Sequence, residues 1–168
     1  MTAITQNKNE KVEIFIDLMN VETSVGRDIV DYNCLVKCLA KGRQITVIRA
    51  YDQIKESNPE QKRLHADLKR EKVRIIVPRG SCGNSSKQIG VDVQLATDVV
   101  TSAIRSSCDT IIIVSGDGDF IPVIDSVKAS GKKIEFAAFS GFANMSLIDE
   151  TDYFTYLDDL PICKEVEA

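Results

Sequence analysis

A single histidine, no CxxC pair and no long apolar run mark this 168-residue chain, and each scarcity removes a class of function. His65 stands in the charged stretch Lys62–Lys72 without an evident nucleophile or orienting motif, which argues against a Ser-His-Asp triad. One histidine and five unpaired cysteines (Cys34, Cys38, Cys82, Cys108 and Cys163) argue equally against a zinc site of the usual Cys/His type. The five read as structural thiols, Cys34 and Cys38 standing one helical turn apart. No apolar run approaches the roughly 20 residues that cross a bilayer, so no membrane partner is expected. The start, Met1–Lys11, is polar and lacks an apolar signal core, so it reads as a loose tail of a cytoplasmic protein.

Net charge is −4, too acidic for a generally basic nucleic-acid coat. Its distribution is uneven. Between Glu60 and Lys87 stand Lys62, Arg63, Lys69, Arg70, Lys72, Arg74, Arg79 and Lys87 against Glu60, Asp67 and Glu71, while the remainder is strongly acidic. Such a segment is either a solvated helix face or a phosphate-binding patch.

Short β-branched runs alternate with helical patterns. Strands are expected at Val12–Ile16, Ile45–Ala50, Val73–Val77, Thr110–Val114 and Lys133–Phe139, with a final segment at Tyr153–Leu157. Helices are expected at Tyr32–Lys41, at Glu60–Lys72 after the Asn58-Pro59 start, at Ile89–Arg105, at Phe120–Ala129 and, briefly, at Ala143–Asp149. A loop follows the first strand, and a Gly/Ser/Asn-rich loop covers Arg79–Ser86. This order implies one three-layer α/β/α domain over residues 12–160, with a central, mostly parallel sheet of five or six strands. Residues 1–11 read as a flexible tail and residues 161–168 as an acidic, frayed one.

The most informative segment is Ser115-Gly116-Asp117-Gly118-Asp119-Phe120, directly after the fourth strand. Carboxyl ends of parallel strands share the edge where α/β proteins bind ligands. Asp17 ends the first strand, so it and the acids Asp117 and Asp119 belong to that edge. Asp92, in the first turns of the long helix, can join them, a dipole-stabilised helix acid being the alternative reading of that position. Asp98 lies six residues on and is expected deeper or to one side. Asn20 and Ser115 are candidates to orient a carboxylate or contact a phosphate, or else to satisfy turn backbone.

Acids gathered in one place repel unless a cation offsets them. Carboxylate oxygens suit Mg²⁺ or Mn²⁺, and an ion so held activates water for phosphodiester hydrolysis. Tyr51, at the second strand's end, is either an ordinary strand-end tyrosine or a candidate to stack on a base. Arg79 and Lys87, on the loop after the third strand, are candidate phosphate contacts.

Together Asp17–Asn20, Gly90-Val91-Asp92 with Asp98, Ser115–Phe120 and the closing Asp152 and Phe154 resemble the NYN domains of the LabA-like group, in the PIN-like nuclease superfamily. The likeness runs from about Val12 to Leu157. It implies a metal-dependent ribonuclease fold with Asp17, Asp92, Asp117 and Asp119 as the acidic, metal-binding cluster and RNA as substrate. Two positions depart from that family's pattern: Leu18 stands where glycine is usual, narrowing the approach to Asp17, and Ile89 where lysine is common, removing a phosphate contact. They keep a second class in view, a catalytically weak RNA- or protein-binding regulatory module. A haloacid-dehalogenase-like phosphatase is disfavoured by Met19, which replaces the second acid of its Asp-x-Asp pair. A Toprim-type domain would place glutamate at position 17. Homo-oligomerisation is left open by the sequence.

Overall fold

A computed structural model describes residues 8–26, 28–53, 58–78 and 89–164. Six strands form one parallel sheet: β1 (Lys11–Asp17), β3 (Gln44–Tyr51), β4 (Arg74–Ile76), β5 (Thr110–Val114), β6 (Lys133–Ala138) and β7 (Tyr153–Tyr156), in the spatial order β4-β3-β1-β5-β6-β7. The three-layer α/β/α expectation holds, with the sheet at the larger of the two sizes.

Alternation along β1 builds both faces of the core, because successive strand side chains point to opposite sides. Val12, Ile14 and Ile16 pack with Leu18 and Val21 of α1 (Leu18–Val25), with Leu35, Val36 and Leu39 of α2 (Tyr32–Ala40), and with Leu68 of α3 (Pro59–Arg70). Phe15 faces the other way, toward Leu95 and Val99 of α4 (Ile89–Arg105), Val123 and Val127 of α5 (Ile121–Ala129) and Leu147 of α6 (Met145–Glu150). Glu13 shares Phe15's face and is buried. Its carboxylate is satisfied there by the Ser102 and Ser106 hydroxyls at the end of α4. β5 is buried over its whole length, as its unbroken β-branched run requires.

Local chemistry sets the helix ends. Asp31 caps α2 by accepting from the Cys34 amide at 3.0 Å, and Asn58 caps α3 with Pro59 in the first turn. Gly131 takes φ 76° just beyond α5, the left-handed turn that a helix exit favours.

Three elements differ from expectation. The stretch after β1 is a helix, α1, rather than a loop. Its apolar residues Leu18, Val21 and Val25 recur at helical spacing, hidden in the sequence among Asn, Thr and Ser. Phe120 belongs to a short 3-10 helix, Gly118–Phe120, that leads into α5. The expected frayed tail from position 161 is anchored through Lys164: β8 (Cys163–Lys164) pairs antiparallel with β2 (Ile29–Val30), Ile162 is buried, and Lys164 reaches Asp31 at 3.1 Å. Residues 1–7 and 165–168 lie outside the described residues.

Candidate active site

Connections from β1 and β5 leave in opposite directions, toward β3 and β6. The two strands therefore part at their carboxyl ends, where an open α/β sheet forms its binding crevice. Asp17 ends β1 there, and Ser115–Asp119 leave β5 beside it.

Hydrogen bonds hold these two segments together. Asp17 caps α1, its Oδ1 accepting from the Asn20 amide at 3.0 Å and its Oδ2 from the Ser115 hydroxyl at 3.2 Å. The Ser115 oxygen in turn accepts from the Asp117 amide at 3.2 Å. Asn20 Oδ1 accepts from the Gly116 amide at 3.1 Å, and Asp117 caps the 3-10 helix by accepting from the Asp119 amide at 2.9 Å.

Both glycines of the turn answer to the 3-10 helix Ser140–Phe142 and the residues after it. A Cβ on Gly116 would collide with the Phe142 carbonyl, and one on Gly118 with the Asn144 side-chain amide. Asn144 donates its backbone N–H to the Gly116 carbonyl at 3.0 Å. The acidic turn is thus clamped from below by α1 and from the side by the β6–α6 connection.

Burial pushes the Asp17 carboxyl above its usual range, and the charges of Asp117 and Asp52 push in the same direction, against the two hydrogen bonds that stabilise its ionised form. Asp92, in the first turn of α4, is pushed up to about 6, first by burial and then by the charges of Asp17, Asp117 and Asp119. Asp92 thus feels the three other carboxylates, and Asp17 feels that of Asp117. A donor set of carboxylate oxygens under mutual repulsion fits a hard divalent cation. Among the described residues, no three His, Cys, Asp or Glu side chains converge tightly enough to enclose an ion alone.

Several expected roles change. Ser115 is 0% exposed, with its hydroxyl engaged on both sides, so it positions Asp17 and Asp117 instead of touching substrate. Tyr51 is likewise 0% exposed, stacked against Phe15 with its hydroxyl donating to Asp98 at 2.8 Å. It offers no face to a base. Asp98 also accepts from Gln94 and pairs with Arg49, which commits it away from the cluster. Leu18 is buried in the core under α1. Arg79 and Lys87 lie outside the described residues. Of the basic segment, Lys62 and Arg63 are exposed on the first turns of α3, near the crevice edge. Lys69 and Arg70 occupy the last turn of that helix, about 10 Å further along its axis by helix rise, and Lys72 and Arg74 lie beyond it, Arg74 opening β4.

Two site-edge groups escape the sequence reading. Asp52, one residue beyond β3, accepts from Gln61 at 2.8 Å and lies 2.7 Å from His65 Nε2, giving the lone histidine the orienting partner that the sequence did not reveal. Its signal was an acid at the end of an apolar strand, the position that Asp17 holds on β1. Asn144 had no comparable signal, since its place over Gly118 depends on tertiary packing.

The sequence profile of the NYN domain matches residues 11–158. The crystal structure of a Vibrio parahaemolyticus protein of unknown function is similar over 93% of this chain and 98% of that one, with 25% sequence identity and a TM-score of 0.78. No curated protein matches the chain. No helix among the described residues is long and apolar enough to cross a membrane.

Proposed function

Because the chain belongs to the NYN domain family, whose members are generally nucleases of the PIN-like superfamily, we propose that it is a Mg²⁺- or Mn²⁺-dependent ribonuclease of the LabA-like group, acting in the cytoplasm on single-stranded RNA. What supports this reading is that Asp17 ends β1, and Asp117 and Asp119 follow β5, at one switch point, with Asp92 in the first turn of α4 near enough for all three charges to raise its carboxyl.

Asp117, Asp119, Asp92 and Asp17 are the residues that would hold the ion, which when bound supplies an activated water and neutralises phosphate charge. The chain's own contribution is placement. Asp17 is held by the Asn20 amide and the Ser115 hydroxyl, so one carboxylate orientation is fixed before substrate arrives. Asn20 spends its side-chain oxygen on Gly116, which leaves its NH₂ as a donor for a phosphate oxygen. Burial of Asp17 and partial burial of Asp92 and Asp117 lower the local dielectric, which strengthens the attraction between these carboxylates and a cation.

Incubating labelled single-stranded RNA with Mg²⁺ or Mn²⁺, beside an Asp117→Asn variant, tests the reading directly. Cleavage is expected from the wild type alone. Equal cleavage by both proteins would mean that the activity is not the chain's own.

The absence of a tight three-acid group among the described residues favours one second reading, an RNA- or protein-binding module with little turnover. RNA binding that survives Asp17→Ala, with no cleavage under any divalent ion, would support that module over the enzyme.

A further inference from the structure

Seven large apolar side chains are exposed among the described residues, and two of them, Phe142 and Met145, sit on and just after the connection that clamps the acidic turn. Phe142 is 48% exposed and Met145 is 68% exposed. The Phe142 carbonyl packs on Gly116, and Asn144, between the two apolar residues, packs on Gly118. Hydrogen bonds from the Phe142 amide to the Phe139 carbonyl (3.0 Å) and from the Asn144 amide to the Gly116 carbonyl (3.0 Å) fix this stretch against the turn. An aromatic ring left half in water therefore stands on backbone in van der Waals contact with the segment that carries Asp117 and Asp119.

We propose that Phe142, with Met145 beside it, is the platform on which a nucleobase of the substrate stacks next to the phosphate held at Asp117 and Asp119. The inference rests on the ribonuclease reading and adds the group that grips the base. A single exposed apolar residue is ordinary on a protein surface; what marks Phe142 is its backbone contact with the acidic turn, beside which an aromatic face can be covered by a flat group. Every base has a π-face, so such a platform binds single strands with little sequence preference. A paired duplex keeps its bases stacked on one another, which makes an unpaired strand the substrate that this site accepts. The role expected of Tyr51 thus falls to a residue at the same sheet edge whose ring is open to solvent.

The chain contains no tryptophan, so Phe142→Trp introduces a lone indole reporter at the site. Binding of a fluorescent 12-mer oligouridylate and of an abasic oligodeoxynucleotide of equal length is measured with Ca²⁺ in place of Mg²⁺, to keep the RNA intact. Phe142→Ala is expected to weaken oligouridylate binding by about fivefold or more and to leave the abasic strand unchanged. F142W is expected to restore the affinity, and its emission to be quenched by oligouridylate alone. The ring is not part of the core, so circular dichroism should show both variants folded. Unchanged oligouridylate affinity in Phe142→Ala, or indole emission indifferent to bound oligouridylate, would overturn the platform while leaving the nuclease reading intact. A wild type that binds neither strand and cleaves no RNA would remove both.

Discussion

Asn20 and Gly116, ninety-six positions apart, are joined by a 3.1 Å hydrogen bond from the glycine amide to the asparagine Oδ1, and through it α1 sets the height of the acidic turn. Asn20→Ala leaves that amide without its partner, which should cost about 1–3 kcal/mol of stability. Urea unfolding reads the loss. Ser115→Ala removes a hydroxyl that bridges Asp17 and Asp117, and a tenfold to hundredfold drop in Mg²⁺ affinity or cleavage is expected, about what loss of an outer-sphere partner brings. Isothermal titration with Mg²⁺ measures it without substrate.

The two glycines of the turn are expected to differ. A methyl group on Gly116 meets the Phe142 backbone, which cannot swing aside, so Gly116→Ala should destabilise by about 1–3 kcal/mol or more and displace Asp117. Gly118→Ala meets the Asn144 side-chain amide, whose oxygen caps α6 by accepting from the Ser146 amide at 2.9 Å, so turning it aside costs about the 1 kcal/mol of a lost cap and no backbone shift. Thermal melts of the two variants side by side, with RNA cleavage as the second readout, should show a large effect for the first and a small one for the second.

Asp92 makes stability depend on pH in the direction opposite to that of a salt-bridged acid. Its folded-state carboxyl titrates near 6, above the unfolded value near 3.8. Between those values the folded chain holds more protons than the unfolded one. Its contribution is therefore complete below pH 4 and is lost as pH rises through 6. Metal-free melts should show this loss, and Asp92→Asn should flatten the profile and raise the melting temperature at pH 7. Added Mg²⁺ should reduce the gap between wild type and variant at that pH.

Arg43 offers a control remote from the crevice. It precedes β3 and forms a two-pronged pair with Glu135 at 2.6 and 2.9 Å while donating to the Ala40 and Leu39 carbonyls. Arg43→Met strands the carboxylate and should cost about 3–5 kcal/mol. RNA cleavage per folded molecule, measured well below the melting point, should stay at the wild-type level.

Strands and helices with a strong local signature were legible from sequence: β5 as an unbroken β-branched run, α3 from Asn58-Pro59, and the end of α5 from Gly131. So was the sharing of one edge by Asp17, Asp117 and Asp119, because parallel topology alone brings strand ends together. What escaped reading depends on contacts between distant residues. Tyr51 looks like any strand-end aromatic until Asp98, 47 positions on, captures its hydroxyl. His65 looks idle until Asp52 is seen beside it, and Cys163–Lys164 look frayed until Ile29–Val30 supply a strand for them to pair with.

The central seam of the sheet has a consequence for the order in which the molecule assembles. β1 lies against β5 with Val12 opposite Thr110, so its second edge stays bare until nearly a hundred further residues have been made. Closing so long a loop is slow, and parallel pairing across it slower still. During synthesis the chain made before β5 carries Asp17 and, later, Asp92, with no acidic turn to face them. The crevice needs β5 in place with Ser115 against Asp17, so a ribosome-bound fragment ending before that strand has no assembled cluster to present to the RNA around it.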